Sequence, residues 1–403
     1  MAILRHLHSR RFLPSSSFTG EPSKRVPPIR VTAMMNMHRS TRPIPLHRKL
    51  KHGIRVLSVL LVCCISLGIS VSLSVSQNAP PKDSQGFITF CINVHDFFHV
   101  EESADILLLL IDLFESHGVR GDFYLTAPIT HFYTDERPDV IARLRDSDMT
   151  ISYHIRPPHP AYGGFDAKLR ALSPIDVEAL LRNYEAFRLD LATGEYVEDE
   201  SGGITYLTEV FGRPPVCVSV PSERWRPTLL PIWYDMGAHM TVIYHESGTD
   251  VEHPFEWRDD LLIRPSDFSI TRWLNPENGN DAFWWNMISS SLADSYQPVS
   301  QLQQQLGAWT VARKPFITVL IHENNFFRKS ATPWANVFYA DAQKGTPRTA
   351  PFDLNAPDAS RPRTDEDKDA IWEAYAALVA YAAEFLTVVT SEDIVQLALA
   401  TSK

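Results

Sequence analysis

Phe87-Ile-Thr-Phe-Cys-Ile-Asn-Val-His95-Asp96-Phe-Phe-His99 is an apolar run that stops abruptly in polar residues. Its first six residues are aromatic, β-branched or small, without a helical period, and so spell a strand buried on both faces. A strand that ends in imidazole and carboxylate groups is worth following, because the ends of buried parallel strands are where catalytic side chains collect.

The segments beyond it alternate in type. A helix is predicted over 103–117, stopped by Gly118, and a strand over 121–126. A helix over 135–146 and a strand over 149–153 follow. Ser173-Pro174 starts the next helix, serine as cap and proline in the first turn, running to about Ala192 before Gly194. A short helix over 207–211 closes on Gly212; strands over 216–220, 240–244 and 261–264 enclose a helix over 228–236. Residues 281–311 read as helix, 316–321 as an uninterrupted apolar strand, 365–384 as helix, 385–389 as strand and 391–399 as a closing helix. Strand–helix alternation over about 300 residues implies parallel strands with helical crossovers. The expected fold is therefore α/β: a (β/α) barrel, incomplete, of seven or eight strands, across 86–403. Residues 328–363, rich in Pro, Ala and Asp, are an insertion placed over or beside the site.

Three strand ends carry histidine: His95 with Asp96 after the first, His154 and His159 after the third, His322 with Glu323 after the late one. A lone histidine at a strand end is usually a packed residue with a hydrogen-bond partner, and His117, His131, His239, His245 and His253 are read so. Three such ends converging on one cleft suit a divalent cation, since neutral imidazole and carboxylate are its ordinary ligands. His154 and His159 are five apart around Pro157-Pro158, so they are no helical ligand pair.

The chain has 403 residues, 44% of them hydrophobic, with a net charge of −10. Residues 1–55 hold 12 Lys or Arg and one acid, whereas 56–403 hold 26 and 47. So acidic a body is a poor partner for nucleic acid, whose phosphates want a basic face. From Val56 to Val75 no residue is charged. About 20 such residues cross a bilayer core, and the basic flank on the N-terminal side holds that side in the cytosol. The expected organisation is a basic disordered cytosolic tail (1–54), a transmembrane signal anchor (55–76), a linker (77–85) and a type II lumenal or extracellular domain (86–403). Ser74-Val-Ser76 keeps open cleavage and secretion, and the Arg-rich start keeps open organelle import. Four cysteines exclude a disulfide scaffold; Cys91 and Cys217, inside strands, are read as buried thiols.

The order of these segments resembles the polysaccharide deacetylase superfamily, the NodB-homology or carbohydrate esterase family 4 domain. Residues 87–99 resemble its first motif, an apolar strand ending in paired acids. Gly118-Val-Arg-Gly-Asp-Phe-Tyr-Leu resembles its second strand, Met149-Thr-Ile-Ser-Tyr-His its histidine motif, and Gly212-Arg-Pro-Pro-Val-Cys-Val-Ser-Val-Pro its third motif. Phe316-Ile-Thr-Val-Leu-Ile-His resembles its Leu-x-His motif, and Phe385-Leu-Thr-Val-Val-Thr-Ser-Glu-Asp-Ile its last strand and helix. The resemblance spans about 315 residues.

It implies a metal-dependent hydrolase that removes N- or O-acetyl groups from a glycan. Metal ligands would be Asp96, His154 and His159, holding zinc (or cobalt, nickel or manganese). His95 would be the general base and His322 the general acid. Arg224, Trp225 and Glu323 would bind substrate, with Trp273, Trp284 and Trp285 as further stacking candidates. The chain departs from the pattern in three places. His95 stands where the catalytic acid is expected, His159 lies one residue late with Pro158 in the expected position, and Ser219 replaces an arginine. If Asn93 takes the acid's place instead, His95 moves to the metal position and no base remains; the first register keeps an Asp-His-His set and is preferred. Two other readings stand beside the hydrolase: a catalytically inactive glycan-binding or scaffolding barrel, and a metal-free glycoside hydrolase using two of Asp96, Glu246 and Glu323.

Overall fold

A computed structural model describes residues 86–220, 224–243, 256–258, 260–265, 299, 302, 316–330, 332–341 and 344–401. The tail, anchor and linker expected over 1–85 lie outside the described residues. So do Glu246, Trp273, Trp284, Trp285 and nearly all of the helix expected over 281–311. Among the described residues no helix is long and apolar enough to cross a membrane.

Strand β1 (Phe87–Val94) is followed by α1 (Val100–Ser116), β2 (Asp122–Leu125), α2 (Ala127–Glu136), α3 (Pro138–Asp146) and β3 (Thr150–His154). Next come α4 (Ala167–Arg170), α5 (Pro174–Ala186), a hairpin of β4 (Phe187–Leu189) and β5 (Tyr196–Ser201), and α6 (Gly203–Phe211). Then follow β6 (Cys217–Val220), α7 (Arg226–Asp235), β7 (Met240–Ile243), β8 (Glu256–Arg258) and β9 (Leu261–Pro265). The last part holds β10 (Phe316–His322), a 3-10 turn (Glu323–Phe326), α8 (Ala335–Phe338), α9 (Asp365–Phe385), β11 (Thr387–Val388) and α10 (Ser391–Thr401).

The main sheet runs β10-β1-β2-β3-β6-β7-β9-β8, with β11 also on β1. All its pairings are parallel except β8 on β9. Successive strands thus lie side by side, and the late strand β10 returns to the first. This is the expected (β/α) barrel order, left open between β8 and β10 among the described residues. β1 is its centre: Ile88, Phe90, Ile92 and Val94 are fully buried, each contributing roughly 1.5–3 kcal/mol. On α1, Val100, Ala104, Leu107, Leu110, Ile111 and Phe114 fall on one face at intervals of three and four, and that face is buried. Cys91 and Cys217 are buried thiols without a disulfide, as expected.

Besides the short α4, β8 and α8, helix α2 and the β4–β5 hairpin are not legible as elements from the sequence pattern. Helix α2 starts at Thr126, whose hydroxyl accepts from the Ile129 N–H, with Pro128 in its first turn; the Thr-x-Pro signal was there. The helix expected to reach Ala192 stops at Ala186, and β4–β5 follow. Gly202 and Gly203 explain the stop. Gly203 has φ +50°, and a Cβ there would lie 2.5 Å from the Glu185 backbone. The hairpin folds back so closely on the end of α5 that no side chain fits between them.

The insertion has a core of its own. Trp334, Val337, Phe338, Tyr339 and Phe352 cluster together against Phe97, Tyr162 and Phe165. Its neck is closed by the Arg363 N–H to the Phe327 carbonyl (2.9 Å) and the Lys329 N–H to the Arg361 carbonyl (2.8 Å).

Gly203→Ala should destabilise the fold by about 2–4 kcal/mol, from the contact and the left-handed backbone together; a chemical denaturation midpoint unchanged from wild type would contradict this account of the hairpin.

Candidate functional site

The site is set by register. Asn93 of β1 pairs with His322 of β10, and His154 of β3 pairs with Ser219 of β6. The strand ends are thereby level, and His95, His154 and His322 meet. The His95 ring centroid lies 4.6 Å from that of His322 and 6.4 Å from that of His154. All three rings are at most 4% exposed. His95, His154, Arg156 and His159 line a small cavity of about 30 Å³, together with apolar side chains such as Phe97 and Pro128.

Hydrogen bonds fix the tautomers. The Trp334 indole N–H donates to His95 Nδ1 at 2.8 Å. An indole nitrogen is only a donor, so Nδ1 keeps its lone pair and the neutral ring carries its proton on Nε2. Burial, and then the Arg156 charge, hold the His95 pKa well below the ordinary 6.5, so the ring is neutral. The Nε2–H is buried with no partner. Arg156 Nη2 donates to His322 Nε2 at 2.9 Å, which places the His322 proton on Nδ1. Burial and Arg156 depress His322 and His154 in the same way. Among the described residues neither ring nitrogen of His154 makes a hydrogen bond of normal geometry, although the ring lies near the Ser219 backbone.

The two carboxylates of the sequence reading are present but turned into the fold. Asp96 Oδ1 accepts the N–H groups of Phe98 (2.9 Å) and His99 (3.2 Å). Its Oδ2 meets His99 Nδ1 (3.0 Å) and accepts from Asn324 Nδ2 (3.1 Å). Glu323 is fully buried, and one oxygen accepts the N–H groups of both His95 (2.7 Å) and Asp96 (2.6 Å). Burial, with Asp96 nearby, raises its pKa to about 8. Glu323 is therefore the clamp that shapes the turn after β1, not a rim residue meeting substrate.

His159 also faces inward. Its Nδ1 accepts the Ala161 N–H at 3.1 Å, and burial pushes its pKa down to about 3. Its Nε2 lies 3.9 Å from Glu185, a carboxyl that accepts from Trp233 Nε1 (3.0 Å). With the ring neutral, that approach is not an ion pair.

The expected ligand set does not fit a divalent cation. Asp96 spends both oxygens on protein donors, and His159 points to Glu185. A guanidinium already sits on His322. Among the described residues no group of three His, Cys, Asp or Glu could hold a metal ion. The glycosidase alternative lacks its pair as well, since Asp96 and Glu323 face backbone donors. Arg224 and Trp225 stand apart from the cavity: the guanidinium lies over the indole at 5.5 Å, and Trp225 Nε1 donates to Asp166 at 3.1 Å.

Three participants were missed in sequence: Arg156, Trp334 and Glu185. Arg156 lies between the two histidines of a motif already singled out, but nothing in the spacing told its direction. Trp334 lies in the insertion, 239 residues from its partner, and Glu185 at the end of a helix whose extent was misjudged.

Burial raises the Glu185 pKa to about 7. A carboxyl held above its unfolded value stabilises fully below about pH 4.5, and this contribution is lost as pH rises through about 7. Wild type should therefore lose on the order of 2–3 kcal/mol more than Glu185→Gln between about pH 5 and about pH 8. Parallel pH profiles of unfolding free energy would refute this.

No family model matches the chain, and no curated protein matches it. Solved structures do. One is a 4-alpha-glucanotransferase from Thermococcus litoralis: 12% identity, TM-score 0.41, 77% of this chain but only 40% of that one. The chain thus spans less than half the length of that protein. Another is titled a putative polysaccharide deacetylase from Mycobacterium smegmatis: 12% identity, TM-score 0.42, 80% of this chain and 93% of that one. A third is described as a probable polysaccharide deacetylase from Pseudomonas aeruginosa PAO1: 12% identity, TM-score 0.38, 79% of this chain and 94% of that one. Polysaccharide deacetylases, the group its strand motifs resemble, are therefore among the solved structures to which this chain is similar.

Proposed function

We propose that the chain is a hydrolase that removes acyl groups, acetyl first among them, from a glycan. One observation carries the reading: buried nitrogens of His95 and His154, without hydrogen bonds among the described residues, converge beside Arg156 at the strand ends. An unsatisfied buried polar group costs about 1–3 kcal/mol, so such a cluster is kept for what it does.

The chemistry follows from the tautomers. A water in the cavity attacks the acyl carbon and gives its proton to neutral His154, whose nitrogens make no hydrogen bond of normal geometry among the described residues. The His95 Nε2–H and the Arg156 guanidinium donate to the oxyanion that forms as the carbonyl opens. When the C–N or C–O bond breaks, the proton held on His154 passes to the departing amine or alkoxide, and the acid is released. His322 keeps Arg156 aimed. No step is routed through a metal, because the donor set does not fit one.

The full-length chain should release acetate from an N-acetylated chito-oligosaccharide or an O-acetylated xylo-oligosaccharide, with chelator present. His154→Ala should lower turnover about 100-fold or more. Absence of acetate from both substrates would end this reading. The second reading, a catalytically silent glycan-binding barrel, would then hold; it is favoured by the absence of a carboxylate among the described residues of the cavity lining.

We also propose that the uncharged run over 56–75 anchors this domain outside the cytosol, as a type II protein. Full-length chain that resists alkaline extraction from membranes supports the anchor; a form released with its new N-terminus after Ser76 supports cleavage.

A further inference from the structure

The one charged group on the cavity wall among the described residues is a cation. Arg156 and three neutral imidazoles line it, and no described Asp or Glu does. A guanidinium has five N–H donors. One of those of Arg156 reaches His322, and its Nε–H is buried with no partner. No carboxylate pairs with Arg156 among the described residues.

The insertion adds a second cation. Lys344 sits in a turn whose geometry is fixed by Asp341. The Gly345 and Thr346 N–H groups donate to its carboxylate at 2.9 and 2.7 Å, and the Lys344 N–H donates to its backbone carbonyl at 3.2 Å. Lys344 has φ +60°, a left-handed backbone that costs a non-glycine residue about 1–2 kcal/mol. The turn packs by Pro347 against Gly164, where a Cβ would lie 2.6 Å from the proline ring. The Lys344 charge disfavours protonation of His95 and His322, and the Arg156 charge disfavours that of Lys344. Among the described residues neither cation is paired with an acid, so a bound anion would relieve their repulsion.

We infer that this cavity is a receptor for a carboxylate, gripped by the Arg156 guanidinium and the His95 Nε2–H, with the Lys344 charge assisting at longer range. A planar carboxylate matches the guanidinium fork, and the apolar walls suit its carbon side. The inference rests on the proposed site, but binding needs no turnover. The carboxylate has two sources: the acid released by deacylation, or an acid group carried by the sugar.

The experiment is calorimetric titration of the full-length protein with sodium acetate and, separately, sodium glucuronate, at constant ionic strength set by sodium chloride. One-site saturation by about 10 mM is expected for at least one of them. Acetate alone assigns the released acid; glucuronate alone, or both, assigns a sugar acid. Arg156→Gln should weaken binding about tenfold or more, Arg156→Lys less, and surface variant Lys344→Gln about two- to fivefold. Circular dichroism establishes that each variant is folded. Saturation by neither carboxylate, equal affinity in folded Arg156→Gln or Lys344→Gln, or zinc displacing the carboxylate with His95-dependent affinity would overturn the inference. Acetate release from acetylated oligosaccharide is measured in parallel. Turnover without carboxylate binding overturns this inference and leaves the hydrolase; carboxylate binding without turnover does the reverse.

Discussion

The pairing of β1 with β10 is the interaction on which everything else in the described fold rests. Seven consecutive residues of each strand stand in parallel register, from Phe87 opposite Phe316 to Asn93 opposite His322. Slip that register by one and the alternation of side chains reverses, turning the β10 imidazole away from its neighbours. The turn after β1 is then held by Glu323, which follows β10 directly and takes two N–H groups from the other strand's end. The site is thus built across a seam, and the acids next to it secure the seam.

The division of labour among polar groups follows from that. Carboxylates that resemble catalytic residues in sequence are committed to backbone amides, while the imidazoles face the cavity. Each imidazole is kept neutral by burial and by the neighbouring guanidinium. Neutral rings with assigned tautomers are directional donors and acceptors, and in a cavity of low polarity such bonds are stronger than in water. The insertion takes part in this: without the indole of Trp334, His95 would be free to place its proton on either nitrogen.

The sequence reading was strongest where burial alone decides. The apolar strands over 87–92, 316–321 and 216–220, and the amphipathic helices after them, were legible from period and length, and so was the order of a (β/α) barrel. The three strand-end histidines were legible too, because strand ends in such folds are few and converge. What could not be read was direction. Asp96 next to His95 looks like a ligand pair, yet consecutive residues of an extended chain point to opposite sides, and Asp96 caps the turn into α1. His159, expected as a metal ligand from the resemblance, does line the cavity, but its Nδ1 is taken by the Ala161 N–H and its Nε2 lies against Glu185. Partners far apart in sequence, Trp334 and Arg156 above all, are set by packing of the insertion and by a loop with no period.

The closure of β1 by β10 also bears on how the chain reaches this fold. The Asn93–His322 contact joins residues 229 apart, and Ser391 at the start of the last helix bonds Asp122 of β2 across 269. Synthesis delivers the first strand early and its neighbour late, so for most of translation a mostly apolar strand has one flank without a mate. Long-range parallel pairing is slow, because the loop entropy must be met before the contacts form. An unmated strand flank is also the surface on which chains stick to each other. The β10 flank of β1 therefore stays open until residue 322 has been made.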